Sequence, residues 1–171
     1  MNSTPLTYPN EPITFVSLSW DELEQLVFSL SRDILLANPT GTPSGIDRIV
    51  TLAKGGWPMA RSLSDFLGGV PVLSFGVKSY SGIGTQDKEI SIYQDLSTID
   101  PNEHILLFDD IADTGKSLEF TIHHLQTLGV QKIIVATVFY KPKSIIRPNF
   151  YGSETNSWVI FPYEFQETIL D

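Results

Sequence analysis

The chain has 171 residues, 42% of them hydrophobic and 18% charged, with a formal net charge of −9 and no cysteine. That length suits a single domain over 1–171 with a sizeable core, and the composition excludes a disordered or fibrous chain. Disulfides and thiolate chemistry are ruled out, and no apolar run nears the roughly 20 residues of a membrane span. The acidity argues against a nucleic-acid partner, which clustered Lys and Arg would have to hold.

Met1-Asn2-Ser3-Thr4-Pro5 has neither a basic region nor an apolar core, so no secretory signal is expected and the cytoplasm is the expected compartment. Residues 1–13, with Pro5, Pro9 and Pro12, read as an irregular lead-in. Ser19-Trp20-Asp21-Glu22 is a capping box, with Ser at the N-cap and Glu three residues on. Leu23, Leu26, Val27, Leu30, Ile34 and Leu35 then keep helical spacing to about Ala37, and Asn38 to Pro43 ends that helix in a loop. The pattern next predicts a strand over Ile46–Ala53, a helix over Gly56–Leu67 closed by Gly68-Gly69, and a strand over Val70–Val77. From Ser79 to Gln86 the chain is polar and glycine-rich, and Ile90 to Tyr93 alternates as a returning strand does. A strand over His104–Asp109, a helix over Gly115–Leu128 with Gly129 at C′, a buried strand over Lys132–Tyr140 and a short strand over Ser157–Phe161 complete the chain. Strands alternating with helices predict an α/β fold, a largely parallel central sheet flanked by helices.

Leu106-Leu107-Phe108-Asp109-Asp110-Ile111-Ala112-Asp113-Thr114-Gly115-Lys116-Ser117 is the most informative stretch. An apolar run ends in paired carboxylates, a third carboxylate follows, and a Thr-Gly-Lys-Ser turn opens a helix. Acids and free backbone N–H groups therefore meet at the carboxyl end of a buried strand, where open α/β sheets bind ligands. The acids can hold hydroxyls or a metal and the helix start can hold a phosphate, so a sugar phosphate suits both halves. A nucleoside-triphosphate P-loop needs glycine five positions before Gly115, but position 110 is aspartate, which would repel phosphates. A receiver-type acidic pocket has no use for the Thr-Gly-Lys-Ser turn, and a mere helix cap needs one acid, not three.

Other segments are weaker when read alone. Lys54-Gly55-Gly56 lets backbone approach an anion but is also ordinary turn chemistry. Lys78-Ser79-Tyr80 reads equally as the edge of a mobile hairpin tip. Lys141 ends a strand and can donate to a 6-oxo group or simply sit at a sheet edge, and Trp158 can stack on a base or fill a core. The adjacent His123 and His124 point about 100° apart on a helix and, with His104, make no metal site.

Asp109 to Ser117 resembles the 5-phosphoribosyl-1-diphosphate (PRPP) motif of type I phosphoribosyltransferases, two acidic residues followed by a short loop of Thr, Gly and hydroxyl residues. Aspartate at position 113 is similar to the 6-oxopurine branch, where adenine and orotate enzymes usually carry alanine or threonine. Trp158 to Glu164 resembles the C-terminal purine loop of the xanthine–guanine enzymes, with glutamate where that family usually has aspartate. Lys54, Ser79, Asp109–Ser117 and Lys141–Glu164 stand in family order across most of the chain from residue 46 onward.

The resemblance implies the type I phosphoribosyltransferase fold with a small hood and a flexible loop, and transfer of phosphoribose from PRPP to hypoxanthine, guanine or xanthine in purine salvage. PRPP would be held by Lys54, Gly55, Asp109, Asp110, Ala112, Asp113, Thr114, Gly115, Lys116 and Ser117. A non-proline cis peptide is implied at Ala53–Lys54. Ser79 and Tyr80 would begin the flexible loop. Asp113 would act as general base, and Lys141 would read the purine 6-oxo group. Trp158 would stack on the base, with backbone of Val159 and Ile160 at its edge. Mg²⁺ is the implied cofactor, at Asp109, Asp110 and Glu164. A homo-oligomer, dimer or tetramer, is implied, with no nucleic-acid or membrane partner. Two other readings remain: a PRPP- or nucleotide-sensing regulator on the same fold, and a phosphoribosyltransferase for another base.

Overall fold

The computed structural model describes residues 6–8, 11–37, 45–81, 88–96 and 98–164. In chain order the elements are β1 (Leu6–Tyr8), β2 (Glu11–Ile13), β3 (Phe15–Ser17), α1 (Trp20–Ala37), β4 (Arg48–Ala53), α2 (Trp57–Phe66) and β5 (Val72–Ser81). They continue with β6 (Lys88–Gln94), β7 (His104–Ala112), α3 (Lys116–Thr127), β8 (Lys132–Tyr140), β9 (Phe150–Glu154) and β10 (Trp158–Ile160). The large sheet has the order β6-β5-β4-β7-β8-β9; all its pairings are parallel except that of β6 with β5. This is the expected α/β architecture, with β4 and β7 at the centre.

Helices cover both faces because each buries one apolar stripe. Leu23, Val27, Leu30 and Ile34 of α1 and Met59, Ala60 and Leu63 of α2 pack on Leu106, Phe108, Ala136 and Val138. Leu118 and Leu125 of α3 pack on Val50, Leu52, Ile105 and Leu107 from the other side. Residues 105–108 of β7 are fully buried on both faces, each large side chain worth about 1.5–3 kcal/mol of hydrophobic stabilisation. A continuous apolar run is what a strand covered twice requires.

The helix ends follow the local signals. Ser19 Oγ accepts the Glu22 N–H at 3.2 Å, and the Glu22 carboxylate accepts the Ser19 N–H at 2.9 Å, the reciprocal capping box. Those hydrogen bonds hold the Glu22 carboxyl below its ordinary value. Gly129 takes φ +91°, its N–H donates to the Gln126 carbonyl, and the Val130 N–H donates to that of Leu125. That is a Schellman closure, with Leu125 and Val130 both buried beside it.

Several expectations are corrected. The lead-in is not irregular throughout: β1 and β2 form an antiparallel pair with Pro12 opposite Thr7, and β3 follows. Three-residue strands carry too little alternation to register, and proline survives in a ladder at an edge. The central strand does not stop at Asp109 but runs on to Ala112, so both acids lie inside it. The strand expected to end at Val77 continues through Ser79 and Tyr80 to Ser81, paired with 88–90; the rest of the expected loop, 82–86, lies outside the described residues. Strand β9 was not expected, because its sequence FYGSE is half-buried at an edge and shows no clean period. The final strand leaves the main sheet and pairs in parallel with β3, Trp158 opposite Phe15 and Ile160 opposite Ser17. No helix among the described residues is long and apolar enough to cross a membrane.

Ser19→Ala should destabilise the fold by about 1 kcal/mol, since it removes the acceptor for an otherwise orphaned helix N–H. Urea denaturation measures this, and an unchanged midpoint would mean that water replaces the cap without loss.

Candidate active site

Strand β4 delivers the chain into the turn Lys54-Gly55-Gly56 through a cis Ala53–Lys54 peptide, as expected. The turn closes on itself when the Gly56 N–H donates to the Leu52 carbonyl at 3.0 Å. A side chain at 55 would displace Asp110: its Cβ would lie 2.4 Å from Asp110 Oδ2. The turn therefore rests directly on an aspartate carboxyl group. Lys54 itself is exposed at the rim.

Asp109 and Asp110 stand at the end of β7, where strand geometry sends neighbouring side chains in opposite directions. Asp109 Oδ1 accepts the Asp110 N–H at 3.0 Å, and Asp110 Oδ2 accepts the Tyr163 hydroxyl at 2.9 Å. Burial pushes the Asp109 carboxyl well above its ordinary range, and the adjacent Asp110 charge adds to that. Burial raises Asp110 too, partly offset by the hydrogen bond from Tyr163. Burial, together with the neighbouring carboxylate charge, keeps the Tyr163 phenol protonated. Such a pair is short of positive charge.

Beyond Ala112 the chain turns through Asp113-Thr114-Gly115 into α3. Gly115 is the N-cap at φ +81°, a left-handed conformation that suits glycine. A Cβ there would also come within 2.5 Å of Ser144 Oγ and 2.8 Å of the Ile146 nitrogen. The neighbouring segment is tied on by the Ile145 N–H, which donates to the Thr114 carbonyl at 3.0 Å. Gly115 has no side chain to cap α3; Thr114 Oγ1 accepts the Lys116 N–H at 3.4 Å, and the following N–H groups of the first turn keep their capacity for an anion.

Lys141 is 6% exposed, held by its own N–H donating to the Ala112 carbonyl at 3.0 Å. Its Nζ lies 3.3 Å from Asp113 Oδ1 and 5.6 Å from the centre of the Trp158 ring. Lys143, which the sequence did not single out, brings a second ammonium to 2.8 Å from the same oxygen. These are ion pairs rather than aligned hydrogen bonds. Burial pulls the Asp113 carboxyl up, but Lys143 and Lys141 together outweigh it and hold the group below its ordinary value. Asp113 is accordingly a carboxylate at neutral pH.

These parts surround one cleft of about 290 Å³, lined among others by Gly55, Asp109, Asp110, Asp113, Ser117, Lys141, Trp158, Val159 and Glu164. Lys54, Ala112, Thr114, Gly115 and Ile160 do not line it; Ala112 is buried behind the wall, and the Ile160 carbonyl accepts the Leu18 N–H of the segment after β3. The Lys116 side chain lines a separate depression with Glu119, Phe120 and His123. The side chains of Ser79 and Tyr80 lie outside the described residues. Tyr163 was missed as well; its signal was a tyrosine following proline beside the acid at 164. His124 stacks on Phe75 and meets Asp95 at 3.0 Å, a structural role. Among the described residues no three His, Cys, Asp or Glu side chains converge closely enough to hold a metal ion by themselves.

Residues 19–168 match the phosphoribosyl transferase domain family. The chain is 26% identical over 149 residues to xanthine-guanine phosphoribosyltransferase of Idiomarina loihiensis, covering 86% of this chain and 85% of that one. It is 24% identical over 152 residues to hypoxanthine-guanine phosphoribosyltransferase of Bacillus subtilis, covering 86% and 82%. Among solved structures it is similar to purine phosphoribosyltransferase from Pyrococcus horikoshii, with a TM-score of 0.78, 29% identity, and 87% and 93% of the two chains covered.

Gly115→Ala places a Cβ against Ser144 and Ile146 at a positive φ. A loss of more than about 1 kcal/mol is expected in urea denaturation. A parental midpoint would show that the segment after Lys141 gives way freely.

Proposed function

The chain belongs to the phosphoribosyl transferase domain family, and from that premise we propose that it transfers the phosphoribosyl group of PRPP to a 6-oxopurine base. Hypoxanthine, guanine or xanthine is the acceptor, and the products are a nucleoside 5′-monophosphate and diphosphate. The carrying observation is the pair Asp113 Oδ1 and Lys141 Nζ, an acceptor and a donor 3.3 Å apart beside the exposed face of Trp158. A purine stacked on Trp158 presents N7–H and O6 along one edge, and that pair is its complement. The names of similar proteins, which act on xanthine, hypoxanthine and guanine, support the same acceptor class.

In this reading N9 of the base attacks the anomeric carbon, the bond to the diphosphate oxygen breaks, and diphosphate leaves with the electron pair. The sugar passes through an oxocarbenium-like state, whose positive charge the carboxylates of Asp109 and Asp110 offset while they hold the ribose hydroxyls. Asp113 takes the N7 proton as N9 bonds. Backbone N–H groups of Asp113 to Ser117, with the Thr114 and Ser117 hydroxyls, hold the 5′-phosphate at the start of α3, where the helix dipole favours an anion. The Lys116 side chain is not needed for this, since its backbone N–H suffices. Lys54 and Gly55 face the departing diphosphate. Ser79 and Tyr80, at the end of β5, begin the segment that closes over the reacting centre and excludes water.

Mg²⁺ suits these residues. Asp109 and Asp110, short of positive charge, with Glu164 on the same cleft, make a hard oxygen donor set. Asp109, Asp110 and Glu164 would hold it, and when bound it neutralises charge on the diphosphate. The reading also includes a homo-oligomer, dimer or tetramer, and a cytoplasmic setting.

The test is diphosphate release from PRPP with Mg²⁺ and each of hypoxanthine, guanine, xanthine and adenine. Turnover with a 6-oxopurine and not with adenine supports the reading; silence with all four despite PRPP binding favours a sensor or another acceptor.

Asp113→Asn should keep PRPP binding and lower turnover by about a hundredfold or more. Because the Asp113 carboxyl is held below its ordinary value, activity in the parent should persist as pH falls through the usual carboxylate range and be lost only beneath it. Undiminished turnover in the variant removes Asp113 from the base role. Lys141→Ala should raise activity with adenine relative to hypoxanthine, since the site loses the donor that meets O6. An unchanged ratio shows that the lysine does not read that atom.

A further inference from the structure

Phe161-Pro162-Tyr163-Glu164 is a tight turn closed by the Glu164 N–H donating to the Phe161 carbonyl at 3.0 Å. Proline at its second position presets φ, and the turn carries Tyr163 back over Phe161 while Glu164 lines the cleft. The rings of Tyr163 and Phe161 stack at 5.2 Å with 8° between planes, and Trp20 of α1 lies against Tyr163 at 6.0 Å. Phe161 is 2% exposed and packs edge-on against Phe139 of β8. The phenol is thus aimed by a stack rooted in the core.

It is aimed at Asp110 Oδ2, 2.9 Å away. The same carboxyl group is walled in on another side by Gly55, where a Cβ would stand 2.4–2.8 Å from its three atoms. Backbone N–H groups of Ile111 and of Asp110 itself also reach this carboxyl group, which is 7% exposed. The tyrosine hydroxyl, carried by the loop that also bears Trp158, is the donor that reaches the carboxyl group from outside β7.

We infer that Tyr163 is a positioning residue for PRPP transfer: its hydroxyl fixes the Asp110 carboxylate between the Gly55 turn and the purine loop. This rests on the reading of Asp110 as a PRPP contact. The ring of Tyr163 supports the loop; the hydroxyl serves only Asp110. Removing the hydroxyl leaves the stack in place and frees a carboxylate to turn away from the sugar.

Steady-state kinetics on Tyr163→Phe, Asp110→Ala and the double variant separates the possibilities. Tyr163→Phe should lower kcat/KM for PRPP by about ten- to a hundredfold, the usual weight of a hydrogen bond to a charged group. The KM for the base should stay within about twofold, because the stacking platform is intact. The double variant should be no worse than Asp110→Ala alone, since the tyrosine acts through that aspartate. If Asp110→Ala falls while Tyr163→Phe keeps parental kcat/KM, the aspartate reading stands and the positioning role is overturned. Full additivity of the two losses overturns it as well. If Asp110→Ala itself keeps parental kcat/KM for PRPP, the aspartate reading fails first.

Discussion

Two carboxylates on consecutive residues at the end of a strand buried on both faces set the terms for everything around them. Burial raises both carboxyl groups, and the Asp110 charge raises Asp109 further. The fold answers with small residues and a phenol: Gly55 makes room against one carboxyl group and Tyr163 donates to it. Among the described residues no lysine or arginine forms an ion pair with either acid. Further along the same strand end the balance reverses. Asp113 has two ammonium groups at one oxygen and remains charged. One β-strand thus ends in two electrostatic compartments, one poor in positive charge and one rich in it.

Much of this was legible in the residues. Phe108-Asp109-Asp110 and Thr114-Gly115 are adjacent in sequence, so their chemistry is local and a strand-to-helix turn places it without help from elsewhere. The capping box at Ser19 and the glycine closing α3 are likewise local, each needing a few residues to satisfy orphaned backbone groups. Lys132–Tyr140 matched its strand bounds because an unbroken β-branched run has few alternatives.

What escaped was non-local or short. Tyr163 matters through a partner 53 residues earlier, and no spacing rule connects them. Lys143 looked like any surface lysine after a proline; only the return of the chain toward Asp113 gives it meaning. The strands β1, β2, β3 and β9 are three to five residues long, below the length at which alternation separates from chance. The extension of β7 past its acids has a different cause. Charged residues normally end a buried strand, and here the strand continues because Ile111 and Ala112 beyond them still pair with Phe139 and Tyr140.

The pairing of β3 with β10 has a kinetic side. The Trp158 N–H donates to the Thr14 carbonyl at 2.8 Å, and the side chains of Thr14 and Ser157 meet at 2.7 Å across a separation of 143 residues. Closing so long a loop is entropically costly and yields little until the sheet between is already formed. The strand that carries Trp158 is therefore among the last parts of the chain to find its place. On a ribosome the turn at Gly115 can be complete while Trp158 has yet to be synthesised. The turn at Gly115 and the strand bearing Trp158 are thus separate in time as well as in space, and the second is seated only once residues 14 and 158 have met.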